Sequence, residues 1–158
     1  RRLERVQGQI HVHGAPEEKH RMVGRLMHLI DTNVWLELLL EQEKAAEVRR
    51  LLTECEPGRF HITEFSFYSI AIVMVRLKNI DLLRRFTHDL FSDRGVNLIR
   101  ISPEEMESVL TAADRFGLDF DDAYQYAAAE IYGLQIVSFD DDFDRTERGR
   151  KSPLEVIP

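Results

Sequence analysis

The chain has 158 residues, 44% of them hydrophobic, which is the size of one domain with apolar surface enough for a sizeable core. No apolar run reaches the ~18–20 residues needed to cross a bilayer, no apolar secretory core opens the sequence, and a single cysteine, Cys55, excludes an internal disulfide, so a cytoplasmic protein without a membrane partner is expected. The net charge of −7 is uneven: residues 1–26 hold six Lys and Arg against three Asp and Glu, leaving residues 27–158 with 15 basic and 25 acidic side chains, a balance that excludes bulk attraction to a phosphate backbone.

Residues 1–25 show neither strand alternation nor a sustained helical stripe, and they hold Gly8, Gly14, Pro16 and a charged cluster over 17–21. They read as a flexible N-terminal extension before one domain over 26–158. From Met27 the pattern predicts a strand near 27–31, helices near 33–40 and 43–55, a strand near 59–62, helices near 64–78 and 80–92, and a strand near 96–100. Helices near 103–116 and 121–132 follow, then a strand near 135–139 and a short strand near 154–157. This βα alternation predicts a parallel sheet covered by helices on both faces.

Several boundaries carry their own chemistry. Ser102-Pro103-Glu104-Glu105 supplies a cap, a first-turn proline and first-turn acids ahead of the stripe Met106, Val109, Leu110, Ala113 and Phe116. Asp119 or Asp121 caps the next helix, and Gly117 and Gly133 mark the two helix ends.

The most informative residues are aspartates at element junctions: Asp31 closing the apolar run 26–30, Asp140 closing 134–139, and Asp122 opening a helix between them. In an open α/β sheet the ligand crevice lies beyond the carboxyl ends of the strands, where Asp31 and Asp140 would stand. Carboxylates repeated at such junctions suggest a site for a hard cation, with Thr32, Asn33 and Ser138 either supporting the ligands or simply capping and turning the chain. The acidic run 140–144 resembles the opening of a calcium loop, but Arg145 stands where that loop needs glycine and Lys151 where it needs a bidentate glutamate. Asp141 and Asp142 therefore read as solvated, with Asp144 a secondary ligand candidate.

Leu29-Ile30-Asp31-Thr32-Asn33-Val34, Asp119-Phe120-Asp121-Asp122-Ala123 and the block 137–144 resemble, in order, the three motif blocks of PIN-domain ribonucleases, and the chain is similar to the VapC-like toxins of toxin–antitoxin pairs. The resemblance spans about residues 27–157. It implies a PIN-like doubly wound α/β fold of three layers and Mg²⁺- or Mn²⁺-dependent RNA cleavage, with Asp31, Asp122 and Asp140 as catalytic, metal-holding residues. The family's second acidic position departs from the pattern, because Ser69 falls there. Glu64, five residues earlier, is the nearest acid and a ligand candidate, although five residues shift a helical side chain ~7.5 Å along the axis and turn it away.

For RNA contacts the candidates are Arg145 and Arg148, with Arg150 and Lys151 beside them. The apolar surplus on the first helix, around Trp35, and on the helix from Phe65 to Val75 suggests either multiply covered core, a homodimer face, or a groove for an antitoxin helix. The resemblance implies both partner types. The competing reading is a PIN-like domain without turnover that serves as an RNA-binding or protein-interaction module, and Ser69 is the feature that favours it.

Overall fold

The computed structural model describes residues 26–158, and the extension expected over residues 1–25 lies outside the described residues. Four short strands, β1 (His28–Ile30), β2 (Phe60–Thr63), β3 (Asn97–Ile99) and β4 (Gln135–Val137), pair in parallel in the order β3-β2-β1-β4. The chain steps outward from β1 to β3, then returns to the free side of β1 for β4. The strand order therefore reverses between β1 and β4.

Pleating sends Leu29 and Ile136 to one face of the sheet and Ile30 and Val137 to the other. The first face carries α5 (Met106–Phe116) and α6 (Phe120–Tyr132), which pack through Val109, Ala112, Tyr126 and Ala127. The second carries α1 (Thr32–Leu39), α2 (Ala45–Glu54), α3 (Glu64–Arg76) and α4 (Ile80–His88), through Val34, Val48, Leu51, Ile70, Met74 and Phe86. Helices on both faces of a parallel sheet make the three-layer α/β/α architecture that the alternation predicts. Trp35 belongs to the second core: its indole Nε1 donates to Ile30 O (3.2 Å) and its ring meets Phe86 edge-on at 5.6 Å.

Most predicted boundaries hold for local reasons. Ser102 forms a capping box with Glu105, and the turn Pro103–Glu105 winds as a 3₁₀ helix into α5. Gly117 and Gly133 end α5 and α6 at φ of 61° and 67°, which side chains with a Cβ rarely adopt. One element differs from expectation: residues 153–156 form a short helix, α7 (Pro153–Val156), not a strand. Ser152 and Glu155 close a second capping box with Pro153 at its first position, and this local chemistry outweighs the alternation of Leu154 and Val156. The neighbouring Lys151 alone bridges to Val137 of β4.

Candidate active site

Asp31 leaves β1 directly and Asp140 leaves β4 three residues on, so both stand at the carboxyl ends of the two strands between which the order reverses. Asp31 is also the N-cap of α1. Its Oδ1 accepts from the Thr32 backbone N–H (2.7 Å) and its Oδ2 from the Ser138 hydroxyl (2.7 Å). Ser138 Oγ in turn accepts from the Asp140 backbone N–H (2.9 Å) and from the Asn33 side-chain amide (3.0 Å), while Asn33 Oδ1 accepts from Phe139 N–H (3.3 Å). One hydroxyl thus ties Asp31 to the loop that carries Asp140, with its proton and both lone pairs in use.

Asp119, not Asp121, caps α6 by accepting from the Asp122 backbone N–H (3.0 Å), and this sets Asp122 on the first turn. Asp140 does the same for the 3₁₀ turn Asp141–Arg145, accepting from Asp142 N–H (2.9 Å). That turn folds Asp142 back towards α6. One carboxylate oxygen each from Asp122, Asp140 and Asp142 lies within 4.8 Å of the others, the grouping among the described residues that suits a metal ion. Asp142 is the member that the sequence reading placed in solvent; the signal for it is the Asx turn that Asp140 makes with the residue two positions on.

Electrostatics supports the same reading. Asp31 is only 5% exposed; burial pushes its carboxyl up to about 6, against the hydrogen bonds from Ser138 and Thr32, and the charges of Asp140 and Asp121 add to the rise. Asp122 is pushed up to about 7 by burial and by Asp119, Asp31, Asp140 and Asp142. Among the described residues neither Asp31 nor Asp122 pairs with a Lys or Arg, so their negative charge has no protein counter-ion. An all-oxygen donor set of crowded carboxylates fits a hard divalent cation such as Mg²⁺ or Mn²⁺.

The other sequence candidates, Arg145 excepted, lie outside this group. Glu64 opens α3 and accepts from the Tyr68 hydroxyl (3.0 Å), outside the three-carboxylate group, and Ser69 is half-buried one turn further on. Asp144 is held by Arg150 in a two-bond pair, both bonds 3.1 Å long. Arg145 pairs with Asp142 (3.0 Å), which puts its guanidinium beside the carboxylates. Arg148 instead donates to Leu134 O (2.9 Å), at the opposite end of β4 from Asp140. Lys151 pairs loosely with Glu155 (3.7 Å).

The sequence matches the family model of the PIN domain over residues 28–149. The chain belongs to the PIN domain family. Solved structures show the same PIN fold at low identity. A toxin–antitoxin complex from Klebsiella pneumoniae is 20% identical, with TM-score 0.65 over 80% of this chain and 97% of that one. The sarcin–ricin-loop-cleaving toxin VapC20 of Mycobacterium tuberculosis is 18% identical, with TM-score 0.66 over 80% and 99%. FitAcB of Neisseria gonorrhoeae is 20% identical, with TM-score 0.62 over 81% and 99%. No curated protein matches the sequence. Among the described residues of this PIN domain, no helix is long and apolar enough to cross a membrane.

The hub position of Ser138 gives a first prediction. Ser138→Ala removes the hydroxyl that orients Asp31 and anchors the Asp140 amide, yet the change is nearly isosteric. Affinity for Mn²⁺ is expected to fall about 10- to 100-fold, the usual cost of losing a residue that supports a ligand. Calorimetric titration measures it, and an affinity equal to wild type would remove Ser138 from the site.

Proposed function

We infer that this PIN domain is a metal-dependent endoribonuclease that hydrolyses RNA phosphodiester bonds, and that it is the toxin of a toxin–antitoxin pair. The observation that carries the reading is the convergence of Asp122, Asp140 and Asp142 beside the buried Asp31, at the point where the sheet reverses its strand order. The fold it shares with VapC20, named for cleaving the sarcin–ricin loop, supports a cleaving role.

Asp31, Asp122, Asp140 and Asp142 would hold the cation, either Mg²⁺ or Mn²⁺. When bound, it supplies Lewis-acid chemistry that orients and acidifies a water and neutralises charge on the phosphoryl oxygens. The chain's own residues do the rest. Ser138 and the Thr32 amide fix both oxygens of Asp31, so this carboxylate, which stands outside the group of three, would keep one orientation towards a bound cation. Arg145, next to Asp142, offers a cation for an incoming phosphate and offsets part of the acidic field at the crevice mouth.

Two partners go with this reading. An antitoxin helix would lie in the apolar groove between α1, α2 and α4, a cavity of about 430 Å³ whose walls include Trp35, Leu38, Leu52 and Phe86 and whose lining also carries Arg85, Asp89 and the pair Arg49–Glu41. A homodimer is favoured by the exposed α3 stripe Tyr68, Ile72 and Val75, spaced four and three residues apart and each more than half exposed.

The test is cleavage of RNA by the purified chain with Mn²⁺ and with EDTA, on a sample whose mass is read by light scattering. Cleavage only with metal, from a particle of twice the chain mass, is the expected result. Metal uptake without cleavage of any RNA would instead favour the module without turnover.

A further inference from the structure

Beneath the carboxylates lies a buried polar knot that the metal centre does not itself use. Ser66 Oγ is within hydrogen-bond distance of Thr32 Oγ1 (2.8 Å) and Thr63 Oγ1 (2.9 Å), and the side-chain amide of Gln125 donates to it as well. The same amide reaches Thr32 Oγ1 at 3.5 Å. Ser66 and Thr63 are fully buried and Gln125 is 2% exposed. Gln125 Oε1 finds no donor among the described residues. A half-satisfied amide in the core carries a cost that an apolar side chain of the same length would avoid. Stability alone therefore does not account for glutamine at this place.

What the amide does supply is direction. Gln125 lies three residues after Asp122, on the same face of α6. Thr32 is the residue whose backbone N–H holds Asp31 Oδ1. The buried residues around Gln125 on α6 include Ala123, Ala127, Ala128 and Ala129, which pack closely but leave the register of the helix along the sheet to non-directional contacts. The other polar anchors of α6 are Tyr124, whose hydroxyl accepts from Ile101 N–H (2.9 Å), and Tyr132, whose hydroxyl donates to Arg100 O (2.8 Å), both just beyond β3, towards the other edge of the sheet. At the β1 side, the knot is the directional tie between the helix bearing Asp122 and the helix start bearing Asp31.

We propose that Gln125 is a positioning residue of the metal centre: by gripping Ser66 and, through it, Thr32, it fixes where Asp122 stands relative to Asp31. This rests on the metal-centre reading given above. Gln125→Met keeps length and volume while removing the amide, and Ser66→Ala cuts the same tie from the other end with a smaller change in volume. Each is expected to bind Mn²⁺ about tenfold more weakly than wild type, with a metal-free melting temperature that for Gln125→Met is equal or higher. The double variant should be no weaker than the worse single one, because both substitutions break one link.

The experiment is calorimetric titration of Mn²⁺ into wild type, both single variants, the double variant and Asp31→Asn, with melting curves in EDTA. Wild-type affinity in Gln125→Met and in Ser66→Ala overturns the proposal alone, as do losses that simply add in the double variant. A wild-type protein that takes up no Mn²⁺ overturns the metal-centre reading and the proposal with it.

Discussion

Asp31→Asn is expected to abolish RNA cleavage, by at least about 100-fold, while the protein folds and melts cooperatively. Losing a residue that merely supports a ligand costs about 10- to 100-fold, so losing the charge of a ligand costs at least the upper end of that range. The fold survives because the amide replaces the carboxylate almost atom for atom. Its oxygen still accepts from the Thr32 N–H, so helix α1 keeps its cap, and the hydrogen bond from the Ser138 hydroxyl to the second oxygen is the contact that the substitution loses. Metal-free stability should rise. A carboxyl held at about 6 against 3.8 in the unfolded chain disfavours folding once ionised, by at most about 3 kcal/mol above pH 7. Cleavage, Mn²⁺ titration and melting of the same preparation check all three expectations, and a variant that cleaves RNA at the wild-type rate would remove Asp31 from the reaction. The combination of lost activity with gained stability distinguishes a functional carboxylate from a structural one.

The fold was legible in the sequence because its signals are local. Apolar runs ending in aspartate, a proline and acids after Ser102, and glycines after two helical stripes each mark a boundary within a few residues. Asp31 and Asp140 could be placed at strand ends for the same reason. What was illegible depends on three-dimensional closure. Asp142 comes beside Asp122 only when the 3₁₀ turn Asp141–Arg145 forms, a closure that its own acidic segment does not announce. Arg148 lies among basic neighbours that flank the crevice, but its guanidinium is drawn to the Leu134 carbonyl at the far end of β4. The Ser66, Thr32 and Gln125 knot joins residues 34 and 59 positions apart, each unremarkable in its own segment. Residues 153–156 misled because four residues hold too little alternation to outweigh a capping box.

In EDTA the protein is expected to lose thermal stability as pH rises from 6.5 to 8, and divalent metal should reverse the loss. Asp31 and Asp122 have folded-state values of about 6 and about 7, above their unfolded value of 3.8, so the folded state binds more protons than the unfolded chain through this range. Their contribution is fully present below 3.8 and is lost as pH climbs through 6 and 7. His28 works in the opposite sense. Burial, with Arg59 nearby, lowers it from 6.5 to about 4, so between those values the unfolded chain binds the extra proton and stability rises with pH. The two effects oppose each other below pH 6.5. Above it the unfolded chain's His28 is still partly protonated and returns about 0.4 kcal/mol, but the carboxylates dominate, with a net fall of roughly 0.5 kcal/mol between pH 6.5 and 8, or about one to two degrees in melting temperature. Metal at about 100 times its dissociation constant adds about 2.7 kcal/mol, more than cancelling that fall. It also inverts the slope, because the cation binds the ionised carboxylates and competes with protons at lower pH. Melting curves across pH 6.5–8, with EDTA and with Mn²⁺, read both slopes. A flat or rising curve in EDTA would mean that the crowded carboxylates are already neutralised by the protein, leaving no stored repulsion for a cation to relieve.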